Sequence, residues 1–271
     1  MLFCFSLYFL YQYSFILNMA TRPYLLISND DGYFAGGINF LIETLAPMAD
    51  LLVVAPDGPR SGQSCAITPI HPLRIKEVRN EPGLKVYKCN GTPVDCVKVA
   101  LNELVERRPD LVIGGINHGD NSSVNSHYSG TMGVATEGAL QGLPSIAFSL
   151  CNHSENADFS PLRPYIVDLV FKAIGVGLPP FTCLNVNFPK LEKFAGVKVC
   201  RMAKSHWTQE TARREHPWGG DYYWLVGHCE ELEPEATDTD RWALANGYVA
   251  ITPTTLDNTA YGLIDVLSGV L

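Results

Sequence analysis

Asp30 and Asp31 stand side by side where the apolar run Leu25-Leu26-Ile27 gives out, after Ser28-Asn29 and before Gly32. A run of Leu and Ile without polar alternation suits a strand buried on both faces of a parallel sheet. Open α/β sheets collect their ligands beyond the carboxyl ends of such strands. Neighbouring side chains of a regular strand point to opposite faces, so both carboxylates can serve one centre only if the chain has begun to turn. Gly32 permits that turn. Two adjacent negative charges need water, hydrogen-bond donors or a cation to offset them, and a hard divalent cation does so through oxygen ligands. Alone, the tripeptide also reads as a plain solvated turn, and other strand ends must decide.

Two of them add oxygen ligands. Leu51-Leu52-Val53-Val54-Ala55 is a second buried strand, and its exit loop, rich in glycine, proline and hydroxyls, carries Ser61. Leu111-Val112-Ile113-Gly114 is another, and it runs into Gly115-Ile116-Asn117-His118-Gly119-Asp120-Asn121. Aspartate, serine and asparagine oxygens without thiolates or clustered imidazoles suit Mg²⁺ or Mn²⁺ rather than zinc. Ser129-Gly130-Thr131 opens a helix expected from Met132 to Gln141. Its free backbone N–H groups and positive dipole end suit a phosphate, and ordinary N-capping by Ser129 or Thr131 suits the same residues. Together the residues suggest metal-assisted hydrolysis of a phosphomonoester.

The elements that must position these groups follow from periodicity. Ile38, Leu41, Ile42 and Leu45 recur at helical spacing between the first two strands, which makes a parallel βαβ unit. Residues 73 to 88 read as two strands around Asn80-Glu81-Pro82-Gly83. Thr92, Pro93 and Asp95 form a helix start of N-cap, first position and first-turn acid, so Asp95 and Cys96 are structural. Strands at 145–149, 183–188, 197–202 and 248–252, and helices at 162–174 and 238–246, complete a doubly wound three-layer sandwich. Trp207, Trp218, Tyr222, Tyr223 and Trp224 among charged residues suit a protruding arm or hairpin. Residues 230–240 are read as a solvated acidic stretch, and those after the last strand as an irregular tail.

Composition bounds the reading. The chain has 271 residues, 46% of them hydrophobic, enough for one large domain or a core with an appended arm. A net charge of −8 with scattered Lys and Arg argues against a nucleic-acid polyanion as partner. Eight cysteines include no Cys-x-x-Cys pair and read as reduced packing residues, which suggests a cytoplasmic protein. Residues 1–18 carry no charge and precede Met19; they are read as an upstream extension, with translation starting at Met19.

Five ordered motifs resemble the SurE family of survival-protein nucleotidases. They are Ser28-Asn29-Asp30-Asp31-Gly32, Val54-Ala55-Pro56-Asp57 with Ser61-Gly62-Gln63-Ser64, Gly91-Thr92-Pro93-Val94-Asp95-Cys96, Gly115 through Asn121, and Tyr128-Ser129-Gly130-Thr131. The resemblance runs from about Pro23 to about Thr254. Gly36 departs from it, standing where the family usually has proline.

The resemblance implies a Rossmann-like α/β fold whose C-terminal β-arm builds homodimers or homotetramers, with residues 19–190 as the core and 191–271 as arm and closing strand of the same domain. It implies hydrolysis of nucleoside 5′- and 3′-monophosphates, with some members also trimming short polyphosphate. One divalent ion per subunit, Mg²⁺ or Mn²⁺, is expected at Asp30, Asp31, Ser61 and Asn117. Asn121, Ser129, Gly130 and Thr131 are the expected phosphate-binding residues. Asp30 or Asp31 is the expected base, and His118 is read as a loop residue that could instead protonate the leaving alcohol. An aspartyl-phosphate phosphotransferase wants Asp-x-Asp spacing, which Asp30-Asp31 lacks. A non-enzymatic Mg²⁺-dependent nucleotide-sensing module is the remaining alternative; it would bind nucleotide without releasing phosphate.

Overall fold

The computed structural model describes residues 22–270, so the reading of residues 1–18 and of a start at Met19 lies outside the described residues. Nine strands form one sheet in the order β3-β4-β2-β1-β5-β6-β7-β13-β8. β1 (Tyr24–Ser28), β2 (Asp50–Pro56), β4 (Leu84–Cys89), β5 (Leu111–His118), β6 (Ser145–Leu150) and β7 (Thr182–Phe188) run parallel. β3 (Ile75–Glu81) closes one side as an antiparallel hairpin with β4. At the other side β13 (Tyr248–Thr255) lies antiparallel to β7 and parallel to β8 (Gly196–Val199). The order reverses at β1, whose neighbours are β2 and β5. A crevice therefore opens between the carboxyl ends of β1 and β5, the place such sheets use for ligands.

The central strands show no alternation in sequence because both faces are covered. Leu25, Ile27, Val53, Ile113 and Phe148 pack on one side with Ile38, Leu41 and Leu45 of α1 (Gly36–Leu45) and with Ile166 and Val170 of α4 (Arg163–Val176). Leu26, Leu52, Val54 and Val112 face the other way, onto Cys96 and Val97 of α2 (Pro93–Val99) and Val134 of α3 (Gly130–Leu140). This is the expected three-layer Rossmann-like sandwich. α2 starts with a full capping box, Thr92 Oγ1 accepting from the Asp95 amide while Asp95 Oδ2 accepts from that of Thr92, and runs on into a π-helical turn, Ala100–Leu104. β3 is exposed along its whole length, and its register shifts between Glu77 and Arg79.

The arm is a long interrupted hairpin: β9 (Ser205–Thr208) pairs with β12 (His228–Glu231), and β10 (Thr211–Glu215) with β11 (Asp221–Leu225). Two expectations fail. The acidic stretch is not simply solvated: Arg201 holds Glu233 and Asp238, Arg241 holds Glu231, and Asp240 is fully buried. Asp240 is there because its carboxylate accepts from the amides of Ser123, Ala203 and Arg241, tying α5 (Asp240–Ala245) to the loop after β5. Nor is the tail irregular throughout, since α6 spans Tyr261–Ser268. Asp257 orders its approach by accepting from the Thr259 amide at 2.9 Å and from the Tyr261 hydroxyl. None of α6 is buried. No described helix is long and apolar enough to cross a membrane.

Candidate active site

The turn after β1 is built by Asn29, through its side chain. Its buried amide accepts from the Gly32 N–H at 3.2 Å and donates to the Gly32 carbonyl at 2.9 Å, closing the turn on itself. Gly32 takes φ +102°, a region that L side chains rarely adopt. This is the turn that two adjacent carboxylates need in order to share one centre.

Asp30 is only 3% exposed. The hydroxyl of Thr131, at the start of α3, donates to its Oδ1 at 2.5 Å. Gly130 lies so close that a methyl group there would stand 2.8 Å from Asp30 Cβ. Burial pushes the Asp30 carboxyl up to about 6; the charge of Asp31 adds to the rise, and the Thr131 hydroxyl opposes it. Asp31 lies nearer solvent, and His118, at the end of β5, approaches it twice. The His118 amide donates to Asp31 Oδ2 at 3.3 Å, and its Nδ1 lies 3.1 Å from the same oxygen. Phe159 holds the imidazole edge-on, with ring centroids 5.2 Å apart. His118, read from sequence chiefly as a loop residue, is therefore the direct partner of Asp31. Its position just past a buried strand was the available signal.

Asn117 precedes His118 and donates through Nδ2 to the Gly119 carbonyl at 2.8 Å, which fixes its amide at the crevice. Ser61 is exposed. Its loop is anchored by the preceding residue: the Arg60 amide donates to the Asp30 carbonyl at 2.7 Å, while its guanidinium reaches Asp57, Asn90 and Gly91. Farther along, the Ser64 amide donates to the Tyr128 carbonyl and its hydroxyl to that of His127. The loop after β2 is thus drawn to the crevice from both sides, although no hydrogen bond joins Ser61 to either aspartate among the described residues.

Ser129 is the N-cap of α3, its Oγ accepting from the Met132 amide at 3.0 Å. The capping role read as one alternative is real, and it aims the amino end of an eleven-residue helix at Asp30. Asn121 lies in a different setting, buried and hydrogen-bonded to Ser149 of β6 and to Asn185 and Asn187 of β7.

Among the described residues no three His, Cys, Asp or Glu side chains gather into a metal cluster. Two carboxylates completed by neutral oxygens remain the chemistry on offer. The fit to a hard cation rests on Asp30: a nearly buried carboxylate beside a second one, whose charge burial penalises more than the Thr131 hydroxyl and the Asp30 and Thr131 backbone N–H groups offset, gains most from an adjacent positive ion.

Comparison with known proteins gives a consistent result. The family model described as Survival protein SurE matches residues 25–209. A protein named 5′-nucleotidase SurE from Phocaeicola vulgatus is 56% identical over 246 residues, covering 91% of this chain and 96% of the relative. The protein of the same name from Bacteroides thetaiotaomicron is 54% identical over 248 residues, covering 92% and 96%. The crystal structure of a SurE protein from Aquifex aeolicus superposes with a TM-score of 0.79 at 38% identity, covering 92% of this chain and 99% of that one.

Proposed function

The chain belongs to the SurE family, and from that premise we propose that it is a 5′-nucleotidase, a divalent-metal-dependent phosphomonoesterase that releases phosphate from nucleoside monophosphates. The observation that carries the reading is the meeting of Asp30 and Asp31 with the amino end of α3 at the sheet's reversal point, sealed by the bond from Thr131 to Asp30. Carboxylates on one side and helix N–H groups on the other suit a cation and an oxyanion placed next to each other.

Asp30, Asp31, Asn117 and Ser61 are the residues that would hold Mg²⁺ or Mn²⁺, one ion per subunit. Bound there, the ion would supply Lewis-acid polarisation of the phosphoryl group. Thr131 favours the ionised form of Asp30 by donating to it. Asp31, less buried than Asp30, is the carboxylate we assign to take the proton of the attacking water, with His118 sharing the resulting charge change. Gly130, Thr131 and Ser129 present the start of α3 to the phosphate oxygens, and Asn121 adds a side-chain amide.

Finer parts of the reading are also ours: action on 3′ esters and short polyphosphate, assembly into homodimers or homotetramers through the arm, a cytoplasmic location, and residues 19–190 and 191–271 as core and appended arm of one domain. The test is phosphate release from a panel of 5′- and 3′-nucleoside monophosphates, with and without Mg²⁺ or Mn²⁺. Metal-dependent release that vanishes in Asp30→Asn supports the reading. Nucleotide binding without release sinks it in favour of a sensing module.

A further inference from the structure

β7 breaks the rule its neighbours keep. Its residues Leu184, Val186 and Phe188 face the large apolar core, as their spacing predicts. The intervening Asn185 and Asn187 are equally buried, at 2% and 0% exposure, in a strand interior where asparagine is disfavoured. Burying two carboxamides is costly unless every polar atom is satisfied.

They are tied to each other and to one residue, Asn121, in a closed ring. The Asn121 backbone N–H donates to Asn187 Oδ1 at 2.8 Å. Asn187 Nδ2 donates to Asn185 Oδ1 at 2.8 Å. Asn185 Nδ2 then donates to the Asn121 carbonyl at 2.7 Å. The ring begins on a backbone group that can only donate and ends on one that can only accept, so the orientation of both carboxamides is fixed without ambiguity. Ser149, which sits opposite Asn187 in the register of β6 and β7, accepts from Asn121 Nδ2 at 2.8 Å. That bond uses one amide hydrogen and leaves the second to give.

We propose that Asn185, Asn187 and Ser149 are positioning residues that hold Asn121 so that its remaining amide hydrogen meets an oxyanion, the phosphoryl group of the substrate. The inference rests on the phosphatase reading and deepens it. Asn121 lies in a loop, and a loop amide that had to be ordered on binding would lose affinity to the cost of ordering; the ring meets that cost during folding. Three buried polar side chains in adjacent strands thereby serve a residue outside the strands.

Calorimetric titration of the Mg²⁺-loaded full chain with inorganic phosphate, beside a separate Mg²⁺ titration, tests this. Asn187→Val removes the acceptor for the Asn121 amide. Ser149→Ala leaves the ring intact and removes only the side-chain acceptor, so it decides the matter if Asn187→Val does not fold. Phosphate Kd is expected to rise about tenfold in Asn187→Val and about threefold in Ser149→Ala, with Mg²⁺ Kd within about twofold of the parent chain. Folded variants that bind phosphate as the parent does would overturn the proposal. So would equal losses of phosphate and Mg²⁺ affinity, which mark general damage to the sheet. A parent chain that binds no phosphate overturns this inference alone, whereas one that also releases none from nucleoside monophosphates takes the phosphatase reading with it.

Discussion

At the scale of single residues, Asp30 concentrates the energetics of the site. Burial penalises the charged form and pushes its carboxyl in the metal-free fold up to about 6, from its ordinary value of 3.8. A group whose pKa is raised by folding stabilises the fold at low pH and withdraws that contribution as pH rises through the folded value. The metal-free protein is thus expected to lose about 3 kcal/mol of stability between pH 4 and pH 7 from this group, the equivalent of about two pKa units. Asp30→Asn, which cannot ionise, should flatten that part of the stability curve in denaturant titrations while reducing kcat at least about 100-fold. Thr131→Val removes the hydroxyl that favours the ionised form, so the acidic limb of the pH–rate profile should move upward by about one unit. An unmoved limb would mean that Asp30 does not set it.

Elements explain why the site assembles where it does. The helix α3 reaches Asp30 only because residue 130 lacks a side chain, so Gly130→Ala should push the helix start away from the carboxylate. We expect a stability loss of about 1–3 kcal/mol by thermal melting, together with at least about tenfold lower kcat/KM. Parent-like kinetics would show that the contact is relaxed without consequence. The central strands were legible in sequence because burial on both faces turns them into unbroken apolar runs, and the start of α2 because Thr92, Pro93 and Asp95 each do one capping job. The polar groups of Asp30 and Asp31 were conspicuous for the same reason, standing just past such a run, whereas Asn117 falls within β5 itself. Asn185 and Asn187 were not, since their partner Asn121 is more than sixty residues away and a polar interruption in a strand carries no address. The pairing of His118 with Asp31, 87 residues apart, was hidden likewise. α6 escaped notice because no buried face supports it, and the burial of Asp240 because its three donors come from three separate segments.

For the molecule as a whole, the arm and the last helix leave much apolar surface uncovered. Tyr223, Trp224 and Leu225 are 61%, 62% and 87% exposed, and Leu263, Val266 and Leu267 of α6 are exposed as well. Apolar surface of this extent on a folded chain marks contact sites. The assembly we propose predicts a sedimentation mass above that of one chain, shifted toward the monomer by Trp224→Glu. The arm also touches the site loop, for Trp207 Nε1 donates to Asn125 Oδ1 at 3.0 Å, and Asn125 Nδ2 donates to Asp120.

The opposite flank of the sheet behaves differently. β3 ends the sheet with a row of backbone groups available to another strand, yet Lys76, Glu77, Arg79 and Glu81 crowd it, and the register shift between Glu77 and Arg79 interrupts its regular pairing. A charged, irregular border of this kind stops one sheet from templating the growth of the next. The consequence concerns colloidal behaviour. With Lys76, Glu77 and Arg79 replaced by threonine, the chain should keep its fold but form thioflavin-positive fibrils from the β3 flank on concentration, whereas the parent protein stays dispersed.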